Sequence, residues 1–484
     1  MTRGLAILVL LLGWLGAARP AGAHVGSPDV FYEADAGAYH LFVTVRVPQV
    51  IPGVATIEIR ASAASAASVQ AITVVPMRLT GPGSRLPPTP DVAVRSPDDA
   101  QLYTASVWLM ERGSMQVRVE VTGARGSGAL AVPVPAVALQ TMTMDRGLGM
   151  LLFGLMALLA LSLVSIVGGA LGESTLAPGA PPRSPRRRRV ATAVTGVVVL
   201  GLLAFGNRWW TAAADDYAAT VYRPWQVEAT VRGCTLTIPT KARVVMPDHG
   251  HDMHLFLVRT PALDVLAHLH PSRPDSGPFT QVLPPLPAGH YQVFADLVMP
   301  SGFPVTGTGT LDLPALACPA VTGDDTTWTG AAPGEASAEL GAGGHMIWDR
   351  PAELRAGVAL ALRFRVVDPA GAPAADLGPY MGMAAHAEIV RTDMTVFAHV
   401  HPDGSVAMPA LELAREGLGG DMAGMPGMVM PAAAGAPPTT IAPVLTFPYG
   451  FPQAGDYRVF VQIKRAGQIQ TAAFTARVRP ADAR

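Results

Sequence analysis

The sequence predicts a mainly β protein, in which three β-sandwich domains are attached to two transmembrane helices. Three observations lead to this fold class. Short Val-rich runs alternate apolar and polar residues and are separated by turn residues; the chain of 484 residues holds 50 Gly and 45 Pro. Two long stretches carry no charged residue. A histidine-bearing segment also occurs twice in the second half of the chain.

The composition is apolar and nearly neutral. Half of the residues are hydrophobic, 15% are charged, and the formal net charge is −1. A chain with so little positive charge lacks the basic surface that binds phosphates, so no nucleic-acid partner is expected.

The N-terminus has the three parts of a secretory signal peptide, which we place at residues 1–23. Arg3 gives the positive region, Leu5–Leu15 the apolar region, and Ala21–Ala23 the small-residue cleavage site. Cleavage there would leave His24 as the first residue of the mature protein.

Residues 24–145 are predicted to form the first β-sandwich. Leu41, Val43, Val45 and Val47 occur at every second position and therefore share one face of a strand. Glycine- and proline-rich turns separate such runs over the whole region, as expected for a sandwich of short strands.

Two transmembrane helices are predicted next, at 147–172 and 190–207, where 26 and 18 residues carry no charge. The loop at 173–189 between them is rich in arginine, which by the positive-inside rule places it in the cytoplasm. Trp209 and Trp210 suit the outer membrane interface. The sequence therefore predicts a protein of a bacterial inner membrane whose large domains are periplasmic.

The remaining chain is interpreted as two histidine-bearing β-sandwiches, at 222–319 and 344–484, joined by a linker at 320–343 that is rich in Ala, Gly and Thr. Cys234 and Cys318 bracket the first of them. In an oxidising compartment a disulfide between them is expected. A cysteine metal site is disfavoured, because neither cysteine lies near a histidine cluster.

The repeated segment carries the main functional signal. In each copy one strand opens with a histidine and a second strand ends in His-x-His before a proline; these residues are His254, His268 and His270, and His386, His399 and His401. Residues i and i+2 of a strand face the same side, so the paired imidazoles can point at one spot. Single histidines at strand ends often satisfy backbone groups. Repetition of the whole set favours metal binding.

Further candidate ligands keep their spacing while their chemistry changes between the copies. His249, His251 and His290 of the first copy correspond to Met381, Met383 and Asp456 of the second. We expect the first set to complete a nearly all-imidazole site for Cu(II) or Zn(II). The thioethers of the second set favour Cu(I). Copper is preferred on affinity, and zinc is the alternative.

A methionine-rich stretch at 417–438 has no hydrophobic periodicity and is interpreted as a loop; it carries Met422, Met425, Met428 and Met430. Two interpretations are left open. The loop captures a soft metal ion, or it is a linker without function.

His24 allows a third kind of site. A mature N-terminal histidine offers its α-amine and its ring to one copper ion, and His40 is the only other histidine of that domain. The alternative is an incidental residue after a cleavage site. No other catalytic motif is present, so the chain is not expected to be an enzyme.

The segment Met-His-Leu-Phe-Leu-Val with Leu-Ala-His-Leu-His-Pro, followed by Gly-His-Tyr-Gln-Val-Phe-Ala-Asp, resembles the YtkA-like secreted domains of bacteria. The second copy, from Gly378 to His386, is similar to the same family. The resemblance covers less than half of the chain and implies an immunoglobulin-like β-sandwich with a role in extracytoplasmic metal handling. The N-terminal His and sandwich are also similar to CopC-type copper carriers, although this domain has no Asp-x-His pair.

Three functions are therefore carried forward. The first is a membrane-anchored copper carrier, buffer or sensor with a copper donor or acceptor protein as its partner. The second is an assembly protein whose sandwiches bind a membrane complex and whose histidines are incidental. The third is a histidine-brace copper enzyme built on His24.

Overall fold

The computed structural model describes residues 29–173, 177, 179–180, 185–320, 325–330, 332–422, 428–429 and 441–482. The predicted signal peptide at 1–23, with His24, lies outside these residues. The chain divides into two compact units, one of which joins the residues up to Ala136 with those from Pro224 onward. The other is Val137–Arg223. The prediction of a mainly β fold with sandwich-like antiparallel sheets and two long apolar helices is confirmed.

The first group of strands forms two antiparallel sheets. The strands are β1 (Val30–Ala36), β2 (Tyr39–Arg46), β3 (Gly53–Ala61), β4 (Val69–Arg78), β5 (Asp91–Val92), β6 (Val94–Arg95), β7 (Leu102–Leu109), β8 (Gly113–Gly123) and β9 (Gly126–Ala136). One sheet has the order β1-β2-β3-β7-β6, and the other contains β9-β8-β4-β5. Their alternating apolar residues enclose one core, and a short helix, Ala63–Ala66, joins β3 to β4.

The second group contains the first histidine copy. Its strands are β10 (Trp225–Gln226), β11 (Thr230–Arg232), β12 (Thr235–Ile238), β13 (His254–Thr260), β14 (Leu266–Leu269), β15 (Phe279–Val282), β16 (Gly289–Val298), β17 (Pro304–Leu313) and β18 (Thr327–Thr329). The first histidine sheet has the order β10-β17-β16-β13-β14-β18, and a smaller sheet, β11-β12-β15, covers its core. Cys234 and Cys318 form a disulfide, as predicted.

The third group contains the second copy. Its strands are β19 (Ser337–Glu339), β20 (His345–Trp348), β21 (Leu354–Arg355), β22 (Ala359–Val367), β23 (Leu377–Gly378), β24 (His386–Arg391), β25 (Phe397–Val400), β26 (Met428–Val429), β27 (Val444–Gly450), β28 (Gly455–Arg465) and β29 (Gln468–Arg479). The second histidine sheet has the order β21-β29-β28-β24-β25, with β23 paired to β28. The sheet β19-β20-β22-β27 covers the core on its other side.

The region between β25 and β27 reaches back to the first group of strands. A helix, Met408–Met422, buries Ala410, Leu411 and Ala414 in the first core, and β26 pairs in parallel with β9. The predicted loop at 417–438 thus includes the end of this helix and β26. Met425 and Met430 lie outside the described residues.

The second unit contains two helices, Arg146–Glu173 and Pro185–Ala219, both long and apolar enough to cross a membrane. The second helix begins before the four consecutive arginines at 186–189 and continues past Trp209 and Trp210. It therefore extends beyond the span predicted at 190–207 at both ends. Likewise, β18 and β19 lie within the predicted linker at 320–343.

The two histidine sheets pack against each other through their outer faces. Along β13, Leu255 and Leu257 point into the core of their own group, so the alternating residues Phe256 and Val258 point outward. Phe256 and Val258 are nevertheless fully buried. They pack against the corresponding face of the second histidine sheet.

Aromatic rings dominate this contact between the sheets. The rings of Phe294 and Phe397 stack with centroids 4.1 Å apart and an interplanar angle of 11°, and Phe256 lies 5.1 Å from Phe397. Val390 and Phe460 belong to the same apolar cluster. The cluster fixes the distance between the two sheets and so places the histidines beside it.

We expect the Phe397→Ala substitution to lower the free energy of unfolding by about 3–5 kcal/mol, because it removes a buried ring and leaves a cavity between the sheets. Urea denaturation of the detergent-solubilised chain measures this change. The Leu86→Ala substitution is a control, since Leu86 is 76% exposed, and should change the free energy by less than about 0.5 kcal/mol. An equal effect of the two substitutions would contradict the packing described here.

Candidate metal centre between the histidine sheets

The strand register places equivalent residues of the two copies in equivalent positions. His254 opens β13 opposite Asp296 of β16, and His386 opens β24 opposite Gln462 of β28. These residues share the outward face with the interface aromatics, because they are an even number of positions away from them. The face that joins the two sheets therefore carries both histidine sets.

Two tight turns precede β13 and β24 and add further side chains. In the first, the backbone of Asp248 exchanges two hydrogen bonds with that of His251, and φ is +52° at His249 and +83° at Gly250. Positive φ at both central residues is the property of a type I′ turn. The second turn, Tyr380–Met383, repeats these features: φ is +49° at Met381 and +77° at Gly382.

Eight imidazole rings form one cluster between the sheets. Neighbouring ring centroids lie 3.9–6.3 Å apart. The members are His249, His251, His254, His268, His270, His386, His399 and His401. The sequence predicts one site in each copy. The structure instead brings the two sets together into a single buried group.

Three histidines of the first copy form what we term the β13–β14 triad: His254, His268 and His270. Each offers one ring nitrogen, and these nitrogens lie within 4.8 Å of one another. Ligand nitrogens about 2.0–2.1 Å from one ion lie about 3–4 Å apart. The three rings are buried and close to the spacing that a metal ion requires.

Proton positions in this triad follow from its partners. His254 Nε2 lies 3.0 Å from the carbonyl oxygen of Asp248, and His268 Nδ1 lies 2.8 Å from Oε1 of Gln462, whose Nε2 donates to Thr471 at 3.4 Å. Carbonyl oxygens only accept, so each neutral ring keeps its proton on the nitrogen that faces one. Nδ1 of His254 and Nε2 of His268 then face each other at 3.0 Å with two lone pairs. A shared cation would remove their repulsion.

A second group, the mixed triad, takes residues from both copies: His249, His386 and His401. Their ligand nitrogens also lie within 4.8 Å of one another. His249 hydrogen-bonds to the backbone of Met381, and His401 Nδ1 lies 3.4 Å from the carbonyl oxygen of Val406. Donation to backbone oxygens fixes the tautomer and directs the other nitrogen, Nε2, inward, as in many metal-ligating histidines.

The inward nitrogens of the mixed triad lack hydrogen-bond partners among the described residues. These atoms are Nε2 of His249, Nε2 of His401 and both ring nitrogens of His386. Nε2 of His399, beside the triad, is in the same condition. Buried polar atoms normally have a partner, and leaving one unsatisfied costs about 1–3 kcal/mol. A metal ion is a partner that would satisfy several of them at once.

Each sheet orients a histidine of the other. Gln462 of the second copy contacts His268 of the first, and Asp296 of the first copy has an Oδ2 3.6 Å from Nδ1 of His399 of the second. Thr306 donates to Asp296 at 2.6 Å, at the position that Thr471 occupies beside Gln462. The two halves of the centre are thus approximately symmetric: a polar residue of each copy lies beside a histidine of the other.

Two buried carboxyl groups border the cluster. Glu388 is fully buried, neither of its oxygens has a hydrogen-bond partner among the described residues, and Oε1 lies 3.7 Å from Nδ1 of His268. Burial raises its pKa well above the ordinary value. Oδ1 of Asp248 lies 3.5 Å from Nε2 of His249. Burial raises the pKa of Asp248 to about 7, although a hydrogen bond from the backbone of Met408 opposes this shift.

Five of the eight rings have a lowered pKa that favours the neutral form. Burial, and then repulsion from His401 and His399, lower the pKa of His249 to about 2. Burial is also the largest cause for four further rings, whose pKa values lie well below the ordinary value: His254, His268, His386 and His401. A neutral imidazole is the form that binds metal ions.

Several residues predicted to join the sites lie elsewhere. His290 is opposite Thr260, at the far end of β13 from His254, and its half-exposed ring pairs with Asp312 at 2.6 Å. Asp456 is exposed and lies 3.5 Å from Arg477. Neither residue completes a triad. Both residues lie six positions before the strand residue that borders the cluster: His290 precedes Asp296, and Asp456 precedes Gln462. Six residues of a strand separate them from the site.

The remaining predicted ligands have mixed outcomes. Met381 is buried and Met383 is partly buried in the turn before β24, and the backbone of Met381 accepts a hydrogen bond from His249. Metal binding by their thioethers stays a prediction. Met422 and Met428 belong to a helix and to β26. Both ring nitrogens of His40 contact carboxylates, of Asp35 at 2.7 Å and Glu33 at 3.0 Å.

Sequence reasoning missed several polar residues that border the rings, among them Asp248, Asp296, Tyr380, Glu388 and Gln462. A signal for two of them was present. Asp296 and Gln462 occupy matching places in the two copies, seven residues after Gly289 and Gly455. Their importance appears only when strand register places them opposite His254 and His386.

Comparisons with known proteins add little to this geometry. The model of a domain of unknown function (DUF8832) matches residues 341–480, which contain the second copy. No curated protein matches the chain. Immunoglobulin-like architecture and the number of domains stay predictions.

Likeness to solved structures is weak. A Salmonella alpha-2-macroglobulin is similar with a TM-score of 0.20 and 9% identity, covering 94% of this chain and 24% of that one. Latent PorU from Porphyromonas gingivalis is similar with a TM-score of 0.16 and 10% identity, covering 94% of this chain and 34% of that one. This chain thus spans about a third of the length of the PorU chain. An ICAM-5 ectodomain fragment has a TM-score of 0.14, 9% identity, and coverage of 89% and 74%. Such likenesses carry no functional argument.

The metal-free protein should lose stability as the pH falls below about 6.5. Five cluster histidines have lowered pKa values in the folded state, so below the unfolded pKa the unfolded chain binds more protons. Asp248 and Glu388 act in the opposite direction, because the folded state keeps their protons. The histidines outnumber the two carboxyl groups, so the net contribution of this cluster to stability falls as the pH decreases.

Urea denaturation of the chelator-treated chain at pH 6 and pH 5 measures this dependence. The His386→Gln substitution removes one of these proton-binding sites, so the stability of this variant should fall less steeply as the pH decreases. The Leu86→Ala substitution, at a residue that is 76% exposed and does not titrate, is the control and should leave the slope unchanged. A slope that is the same in both variants would contradict the neutral, buried state of His386.

Proposed function

We propose that the chain is a membrane-anchored, extracytoplasmic copper-binding protein that holds its metal between the two histidine sheets. One observation carries the proposal. Histidines of both copies meet in one buried cluster, where several inward ring nitrogens among the described residues have no hydrogen-bond partner. Proteins avoid unsatisfied buried polar atoms, so a group of them on side chains that ligate metals favours a cation-binding role.

The donor set favours copper. Neutral imidazoles bind copper, zinc and nickel, and copper has the highest affinity of these divalent ions for a given nitrogen site. Zinc stays the alternative, since three imidazoles are also a known zinc donor set. The ligands carry no charge themselves, and the negative charge available nearby is that of Asp248, Asp296 and Glu388.

Location supports a role outside the cytoplasm. The helices Arg146–Glu173 and Pro185–Ala219 have the length and composition of membrane spans. The disulfide between Cys234 and Cys318 suits an oxidising compartment. Together with the predicted signal peptide, these features favour a periplasmic position for the histidine sheets and the inner membrane for the helices.

Carrying or buffering suits the geometry better than catalysis, because most of the ligands are buried and out of reach of a substrate. The cluster approaches the surface at the turn before β13, where Gly250 is exposed and His251 is partly exposed, whereas the side chain of His249 is only 5% exposed. A donor or acceptor protein could exchange copper there through His251, whose ring stacks on His270 with centroids 3.9 Å apart.

We expect the full-length protein, purified in detergent, to retain or take up copper, measured by elemental analysis and by titration against a coloured chelator. The His268→Gln substitution should lower the affinity by more than the 10–100-fold that is typical of changes beside a metal ligand. Competition with zinc in the same titration separates the two metals.

The matched control is His290→Gln, which removes an imidazole from the same copy but from the far end of its strand. Its affinity should equal that of the unmodified protein. Absence of both copper and zinc binding by the unmodified chain would overturn the proposed function and leave the histidines as interface residues.

A further inference from the structure

The histidine cluster contains more ligands than one ion can use. A copper or zinc ion takes at most about five ligands, and the cluster presents eight imidazoles. One ion would therefore leave at least about three rings without a metal bond. The arrangement of the unsatisfied atoms indicates where a second ion belongs.

The β13–β14 triad and the mixed triad share no residue, and each shows its own need for a cation. In the first, lone pairs of His254 Nδ1 and His268 Nε2 oppose each other at 3.0 Å. In the second, inward nitrogens of His249, His386 and His401 have no hydrogen-bond partner within the described chain. An ion in one triad does not relieve the other, because its bonds extend only about 2 Å.

The triads are nevertheless adjacent. The ring centroids of His249 and His254 are 6.1 Å apart, and those of His268 and His386 are 6.3 Å apart. His399 lies between the triads, 5.3 Å from His254 and 5.4 Å from His386, and its Nε2 is among the unsatisfied atoms. Two ions held there would form one dinuclear centre.

One buried carboxyl group accompanies each triad. Glu388 lies 3.7 Å from His268 of the β13–β14 triad, and Asp248 lies 3.5 Å from His249 of the mixed triad. Charges in a buried site need compensation, since transfer of an isolated ion from water costs many kcal/mol. Once deprotonated by a bound cation, the two buried carboxyl groups balance two monovalent ions. Two divalent ions would leave an excess of positive charge even when the partly exposed Asp296 beside His399 is counted.

We propose that the cluster binds two monovalent copper ions as a dinuclear centre, one in the β13–β14 triad and one in the mixed triad. This inference rests on the proposed copper-binding function. Three neutral imidazoles supply a three-coordinate site for each ion. His399 is available to either ion, and the contact between the two histidine sheets holds the pair together.

The test is an anaerobic titration of the full-length, detergent-solubilised protein with Cu(I) in competition with a coloured chelator. The unmodified protein should bind two copper ions per chain. A variant with His254→Gln and His270→Gln should bind one, and a variant with His386→Gln and His401→Gln should also bind one. The variant with both pairs changed should bind none.

Glu388→Gln tests the charge balance, because the amide keeps the shape of the side chain and removes its charge. The substitution should lower the affinity for one of the two ions about 10–100-fold, and the other ion should still bind as in the unmodified protein. His290→Gln is the control for loss of an imidazole, and should keep both ions. Thermal melting of each variant establishes that it is folded before the count is interpreted.

The outcomes separate the two proposals. One ion per chain, lost entirely in either double variant, would overturn the dinuclear centre and retain copper binding. No ion in the unmodified protein would overturn both. If both double variants still bind two copper ions, the metal lies outside this cluster, and the inference is overturned.

Discussion

The packing of two outward strand faces against each other is the constraint on which the centre depends. A strand shows alternate residues to opposite sides, so β13 can fill its own core with Leu255 and Leu257 only by presenting His254 and Phe256 to the outside. Water would normally cover such a face. Here an equivalent face of β24 covers it, and the aromatic contact excludes water from the histidines beside it.

Exclusion of water explains the chemistry of the rings. In water an imidazole nitrogen always has a partner, and its ordinary pKa allows protonation near neutrality. Between the sheets both possibilities are removed, because burial disfavours the charged form and few donors face the inward nitrogens. What is left is a set of bare lone pairs held by the surrounding β-structure, which is a state that favours metal ions over protons.

The sequence allowed the strands, the disulfide and the six repeated histidines to be predicted, because alternation and spacing are local properties. It did not allow the meeting of the two copies to be predicted. Nothing in the repeat says which face of β24 is outward, or that His249 would join His386 rather than His254. His290 and Asp456 were predicted as ligands for a related reason. Their equivalent positions in the two copies are visible in the sequence, but their distance from the site along the strand is not. The copper function and the metal identity stay predictions.

Divergence between the copies is concentrated where the two faces meet. Phe256 and Glu388 occupy equivalent positions on β13 and β24, as do Asp296 and Gln462 on β16 and β28. A perfectly symmetric pair would bury either no carboxyl group of this kind or two at the same positions. Each copy instead contributes a polar residue that contacts a histidine of the other, through Gln462 at His268 and Asp296 at His399. Since His268 and His399 each take a polar partner from the other copy, the arrangement of these two rings depends on contact between the sheets. This dependence ties any metal bound there to the association of the two halves.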